Sequence, residues 1–119
     1  MRVSMMSSTR INRRPITTET ARTFADGMAC REPQPEAFAI IASGAARILR
    51  LAEAEIAEAM RIYYTDTHNL TEGAGAAPLA GLLRERERYR GKRAALVCSG
   101  SNIDRSLFAE ILTGATPFV

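Results

Sequence analysis

The chain has 119 residues, 46% of them apolar, which is room and material for one modest domain and argues against disorder. Its net charge of +3 is uneven: Arg2, Arg10, Arg13 and Arg14 all precede the first acid, Glu19, but no DNA-binding motif or aromatic interleaving accompanies them, so no nucleic-acid partner is expected. Two cysteines make no disulfide framework and point to a reducing cytoplasm, His68 alone makes no zinc site, and no apolar run approaches a membrane span, so neither a metal nor a membrane is expected.

Residues 1–15 show no clean period and read as an irregular basic segment, with a weak likeness to a mitochondrial presequence as the second reading. Residues 16–119 form the expected domain. Ile16–Thr20 is rich in β-branched residues and is expected to be extended. Asp26-Gly27 is a turn signal, and Gly27 is expected to take a conformation closed to other residues. A helix is predicted from Pro35, with Phe38, Ile41, Ala42 and Ala45 as its apolar stripe. Ile48, Leu49 and Leu51 suggest a short strand. A second helix is predicted over about 53–66, with Ile56, Met60 and Tyr63 inward and Glu53, Glu55 and Glu58 favourable to the dipole at its start.

Thr71-Glu72-Gly73-Ala74-Gly75-Ala76 is unusually small in its side chains, which lets a helix N-terminus approach another backbone or a ligand. Pro78 is expected in the first turn of the helix after it, and Arg84–Arg90 reads as a solvated face with mutual ion pairs. Ala94–Cys98 is five apolar residues in a row, the pattern of a parallel strand buried on both faces, with Cys98 as a small core residue. Ser99-Gly100-Ser101-Asn102 then makes a polar loop before a fourth predicted helix, with Asn102 as N-cap and Gly114 as the stop. The fold class expected is α/β, a partial parallel sheet with flanking helices. In such sheets ligands bind at the carboxyl ends of strands, where Ser99 sits.

Each motif alone is weak. Gly73-Ala74-Gly75 is half a dinucleotide fingerprint, and Ser99 has no orderly base partner for a hydrolase triad. Together, Phe24-Ala25-Asp26-Gly27, Thr71–Ala76 and Cys98-Ser99-Gly100-Ser101-Asn102-Ile103-Asp104 resemble, in order and spacing over roughly residues 16–113, the C-terminal third of the serine/threonine dehydratases. These are pyridoxal-phosphate enzymes of the tryptophan-synthase-β fold type. Gly73 stands where that pattern commonly has Pro, and Ser101 where it has Gly, which leaves the substrate open.

The resemblance implies pyridoxal 5'-phosphate as cofactor. It implies that Ser99 meets the pyridine nitrogen, that Glu72 lies beside the reacting end of the substrate, and that Gly27 lines the cofactor through its backbone. The implied reaction is loss of the hydroxyl from threonine or serine, giving a 2-oxo acid and ammonia. A neutral hydroxyl at the ring nitrogen leaves the ring a milder electron sink, which suits β-elimination over transamination.

Such chemistry also needs a lysine to anchor the cofactor and a glycine-rich loop for its phosphate, and in the family both lie upstream of the part seen here. Lys92 is the only lysine, and it precedes the expected strand that Ser99 ends, about 23 Å away at the rise of a strand. It therefore cannot anchor the cofactor. The expectation is a partial enzyme, inactive alone, with an exposed apolar edge, in need of the missing N-terminal portion or prone to self-association. The alternatives are a non-catalytic interaction module on the same scaffold and a domain holding an anion at the Ser99–Asn102 loop.

Overall fold

The computed structural model describes residues 15–118. The basic segment expected at 1–15 lies outside them except for Pro15, which is exposed. The described chain is a slab of 40 × 39 × 21 Å. Its helices are α1 (Pro35–Gly44), α2 (Glu53–Ile62), α3 (Gly73–Arg84), the single turn α4 (Arg86–Tyr89) and α5 (Arg105–Leu112). The pairing of α2 with α3 makes most of the core.

α2 starts where the Glu55 carboxylate accepts the Ala52 N–H at 2.7 Å while the Glu55 N–H donates to the Ala52 carbonyl at 3.0 Å, which satisfies donors that every helix start leaves free. Ile56, Ala57, Ala59 and Met60 are buried, and Tyr63 is half-buried, so the predicted inner face is the observed one. The chain runs on as a π-helical turn, Tyr63–Thr67, and stops at His68 in the left-handed conformation (φ 56°). This agrees with the predicted end near Asp66.

α3 meets α2 through Ala76 and Ala80, both buried, and small enough to let the helices approach closely. It begins at Gly73, so Pro78 lies in its second turn and not in the first as expected. There its ring would press on the carbonyl four residues back, and its missing N–H leaves that carbonyl without a helical donor. α5 buries Phe108 and Ile111 at one end of α2. Phe108 meets Tyr64 edge-on at 5.6 Å. Arg61 donates to the carbonyls of Ile111 and Ala115 at 3.2 and 3.3 Å, a cation at a helix C-terminus. Gly114, at φ 97°, ends the helix as predicted.

The expected sheet is not there. Among the described residues no segment is a strand, and no backbone hydrogen bond joins Ala94–Cys98 to Ile48–Leu51. A strand is defined by its neighbour, and an apolar run supplies only one side of the pair. The two segments instead flank a groove of about 520 Å³ floored by Ala77, Pro78 and Gly81 of α3. Ala94–Cys98 is consequently exposed apart from half-buried Leu96, with Val97 at 74%, and Cys98 is an exposed thiol, not a core residue. Val97 exposes an apolar side chain, but without strands among the described residues it is not the sheet edge that was expected. The stripe of α1 is also only half covered: Phe38, Ala42 and Ala45 are half-buried, while Ile41 and Ile40 face outward.

One long-range polar contact closes an end of the groove. Arg47 grips Glu85 through two guanidinium nitrogens and donates to the Tyr89 hydroxyl at 2.7 Å. The side chains of Arg47 and Glu85 are only 22% and 18% exposed. Glu85 thus leaves the exposed face predicted for Arg84–Arg90, whereas Glu87 and Arg90 stay on it as a pair. The Arg47 hydrogen bond holds the Glu85 carboxyl below the usual carboxylate range. Partial burial opposes this, and the charges of Arg47, Arg88 and Arg84 reinforce it.

Two outcomes are expected. Because the folded-state pKa of Glu85 lies below its unfolded value, its stabilisation is complete above the ordinary carboxylate pKa of about 4.3 and is lost as pH falls through the folded value. Glu85→Gln therefore lowers the thermal midpoint at pH 7 and flattens its decline on the acid side, as read from melts between neutral pH and the acid limit of folding. Gly75→Ala places a Cβ 2.5 Å from the Thr71 hydroxyl oxygen and 2.8 Å from the Gly100 carbonyl, and costs about 1–3 kcal/mol. Gly44→Ala meets nothing within 4 Å and is neutral or stabilising by up to about 1 kcal/mol. Denaturant unfolding of both variants checks the contrast.

Candidate cofactor-side site

The three separated sequence pieces come together at the start of α3. Phe24–Gly27 is brought there by Glu53, whose carboxylate accepts from the Thr23 hydroxyl at 3.1 Å and the Phe24 N–H at 3.3 Å. Ala25 then packs so closely on α3 that a Cβ on Gly73 would lie 2.8 Å from its own Cβ. The acid at position 53 therefore ties a loop to the helix as well as favouring the helix dipole.

Residues 26–28 form one 3-10 turn, and Gly27 does not have a positive φ, contrary to expectation. What excludes a side chain there is space. A Cβ at Gly27 would meet the Ala74 Cβ at 3.0 Å and come within 3.8 Å of the Glu72 carboxylate. Glu72 is half-buried directly before the first turn of α3. Its N–H donates to the Gly100 carbonyl at 3.1 Å, and its carboxylate accepts the Asn102 N–H at 3.0 Å. A Cβ on Gly100 would lie 2.8 Å from that carboxylate. Gly27 and Gly100 thus both lie close to one carboxylate, and Ser99, next to Gly100 in the chain, is exposed.

Asn102 does not cap α5 as expected. The helix starts three residues later, with Asp104 at the N-cap position, and the Asn102 backbone serves Glu72 instead. Lys92 lies on the far side of the exposed segment, with its ammonium 6.0 Å from the Tyr89 ring centre. Among the described residues no cluster of His, Cys, Asp and Glu has metal-binding form.

One contributor went unassigned in the sequence. Thr71 is fully buried, and its hydroxyl lies 3.1 Å from the Gly100 carbonyl and 3.4 Å from the Cys98 thiol. Burial also raises the Tyr63 phenol above its ordinary value, with the neighbouring Cys98 adding to the effect. The available signal was a β-branched hydroxyl directly before Glu72, which propensity alone does not distinguish from a loop residue.

The donor set suits one edge of an aromatic heterocycle. An exposed neutral hydroxyl at Ser99 can pair with a ring nitrogen, and the bare backbone of Gly27 and Gly100 lets Ala74 and the Glu72 carboxylate pack against it. The described residues provide no glycine-rich phosphate loop and no lysine beside Ser99.

The chain is similar to known proteins along most of its length. The sequence profile of the pyridoxal-phosphate dependent enzymes matches residues 2–100. An L-threonine ammonia-lyase of Geobacter sulfurreducens is 40% identical over 82 residues, 69% of this chain and 20% of that protein. An L-threo-3-hydroxyaspartate ammonia-lyase of a Pseudomonas species is 30% identical over 96 residues, 81% of this chain and 30% of that protein. The crystal structure of the T.th. threonine deaminase superposes with a TM-score of 0.69 at 33% identity, covering 75% of this chain and 32% of that one. The chain therefore follows the path of that fold although its extended segments are unpaired, and it spans about a third or less of the length of these relatives. It belongs to the family of pyridoxal-phosphate dependent enzymes.

Proposed function

We propose that this chain carries the ring-nitrogen side of a threonine/serine dehydratase site, and that turnover needs a cofactor-anchoring lysine and a phosphate loop beyond the groups these residues supply. The observation that carries this reading is the convergence of Gly27 and Gly100 on the Glu72 carboxylate beside exposed Ser99. The names of the relatives support the reaction class, a hydroxy amino acid losing ammonia.

Pyridoxal 5'-phosphate, when bound, supplies the electron sink that makes the substrate's α-proton acidic. Ser99 would hold the pyridine nitrogen through an uncharged hydroxyl, which does not enforce protonation of the ring. Gly27 and Gly100, by presenting no side chain, let Ala74 and the Glu72 carboxylate lie against their backbone. Glu72 keeps its carboxylate at the loop through the Asn102 N–H and orients the edge of the site nearest the substrate. The groove between 47–51 and 93–96 is the seat for the completing polypeptide, because unpaired extended segments on both sides offer backbone donors and acceptors to a strand between them. A non-catalytic module on this scaffold is the second reading, favoured by the same groove.

The chain alone is expected to leave threonine, serine and 3-hydroxyaspartate unchanged. Supplied with a lysine-bearing N-terminal portion of a threonine ammonia-lyase, it is expected to give 2-oxobutanoate and ammonia from threonine, and Ser99→Ala to lower that rate about tenfold or more. Equal rates with Ser99→Ala, or turnover by the isolated chain, contradict the proposal. No turnover in the mixture, with the two pieces bound to each other, favours the non-catalytic module. Sedimentation of the isolated chain is expected to show concentration-dependent association that the N-terminal portion suppresses. A monodisperse monomer melting cooperatively counts against the groove as an unfilled seat.

A further inference from the structure

We propose that Thr71 is the positioning residue for Ser99, holding the two residues that flank it, through the Cys98 thiol and the Gly100 carbonyl, with a single buried hydroxyl; the proposal rests on the reading of Ser99 as the partner of the ring nitrogen. Thr71 is the buried polar side chain of the described core, at 0% exposure. Its hydroxyl accepts from the Cys98 thiol at 3.4 Å. Its own proton has two carbonyls in reach, those of Gly100 at 3.1 Å and Glu72 at 3.2 Å. Cys98 and Gly100 are the two neighbours of Ser99 in the chain, so one oxygen spans the residue.

Nothing else in the described chain does this. Residues 93–97 have no backbone partner to fix the register of the Ser99 loop. The Glu72 N–H and carboxylate hold only the later side of the loop, at Gly100 and Asn102. Among the described residues Thr71 is the one that hydrogen-bonds on the Cys98 side. Gly75 makes room for it, since a Cβ there would lie 2.5 Å from the hydroxyl oxygen. A hydroxyl that must meet a ring nitrogen within hydrogen-bond distance gains from such a hold, because a displacement of about 1 Å can cost about a hundredfold in rate. Valine at position 71 keeps the shape and removes both the donor and the acceptor.

The test is backbone ¹⁵N relaxation of the full chain with Thr71→Val, Thr71→Ser and Cys98→Ala. In Thr71→Val the order parameter of the Ser99 amide is expected to fall from about 0.85 to below about 0.6, with the amides of α2 unchanged. Thr71→Ser restores the original value, and Cys98→Ala, at an exposed position, gives a smaller fall at the same amide. An unchanged Ser99 amide in Thr71→Val overturns the proposal, as does an equal loosening of α2 and α3. If Thr71→Val does not fold, an unchanged Ser99 amide in Cys98→Ala overturns it and a selective fall supports it. Titration with 4'-deoxypyridoxine 5'-phosphate, which has the ring nitrogen and no aldehyde, separates the two readings. A Ser99 amide shift that Thr71→Val weakens at least tenfold and Thr71→Ser recovers supports both. No shift in the unsubstituted chain counts against the cofactor reading, and the relaxation result still decides the role of Thr71.

Discussion

The structure depends on the contact between the start of α3 and the Gly100 backbone. Two consecutive residues, Thr71 and Glu72, spend a hydroxyl, an N–H and a carboxylate on a loop nearly thirty residues away. Such bonds count for more than their number here, because they hold a segment that has no strand neighbour among the described residues. Their geometry needs glycine on both sides of the contact: a side chain at Gly75 strikes the loop, and one at Gly100 strikes the carboxylate. Small residues at the head of α3 are thus a condition for the loop to lie where it does.

The packing of α2 against α3 turns that local contact into a site. α2 brings Glu53, which ties down Phe24–Gly27, and α3 brings Glu72, which ties down the later loop. The two helices meet through alanines, so their relative position is set by backbone proximity more than by long side chains. Helix-to-helix packing supplies the rigidity, and loops supply the groups that face a ligand.

Much of this was legible in the sequence. The inner face of α2 and the Gly114 stop follow from periodicity and from glycine's tolerance of positive φ. The grouping of Gly27, Glu72 and the Ser99 loop followed from resemblance, since no spacing rule relates positions so far apart. Strands were misread because an apolar run records which faces a segment can bury and says nothing about whether a neighbour is present. Asn102 was misread because an N-cap signal and a loop residue that lends its N–H to a distant carboxylate look alike in sequence. Glu85 looked like one more charge in an alternating run, and its bond to Arg47, 38 residues away, is a tertiary fact.

The slab is only 21 Å through, about two helix diameters. Layers that thin leave every interior side chain within one neighbour of water, so the molecule has a seam in place of a centre. Dry contact is concentrated where α2 lies on α3, and the periphery is bound to that seam by individual polar ties. A body of this shape gives way at its margins first, with the arms on either side of the groove loosening while the helical pair persists.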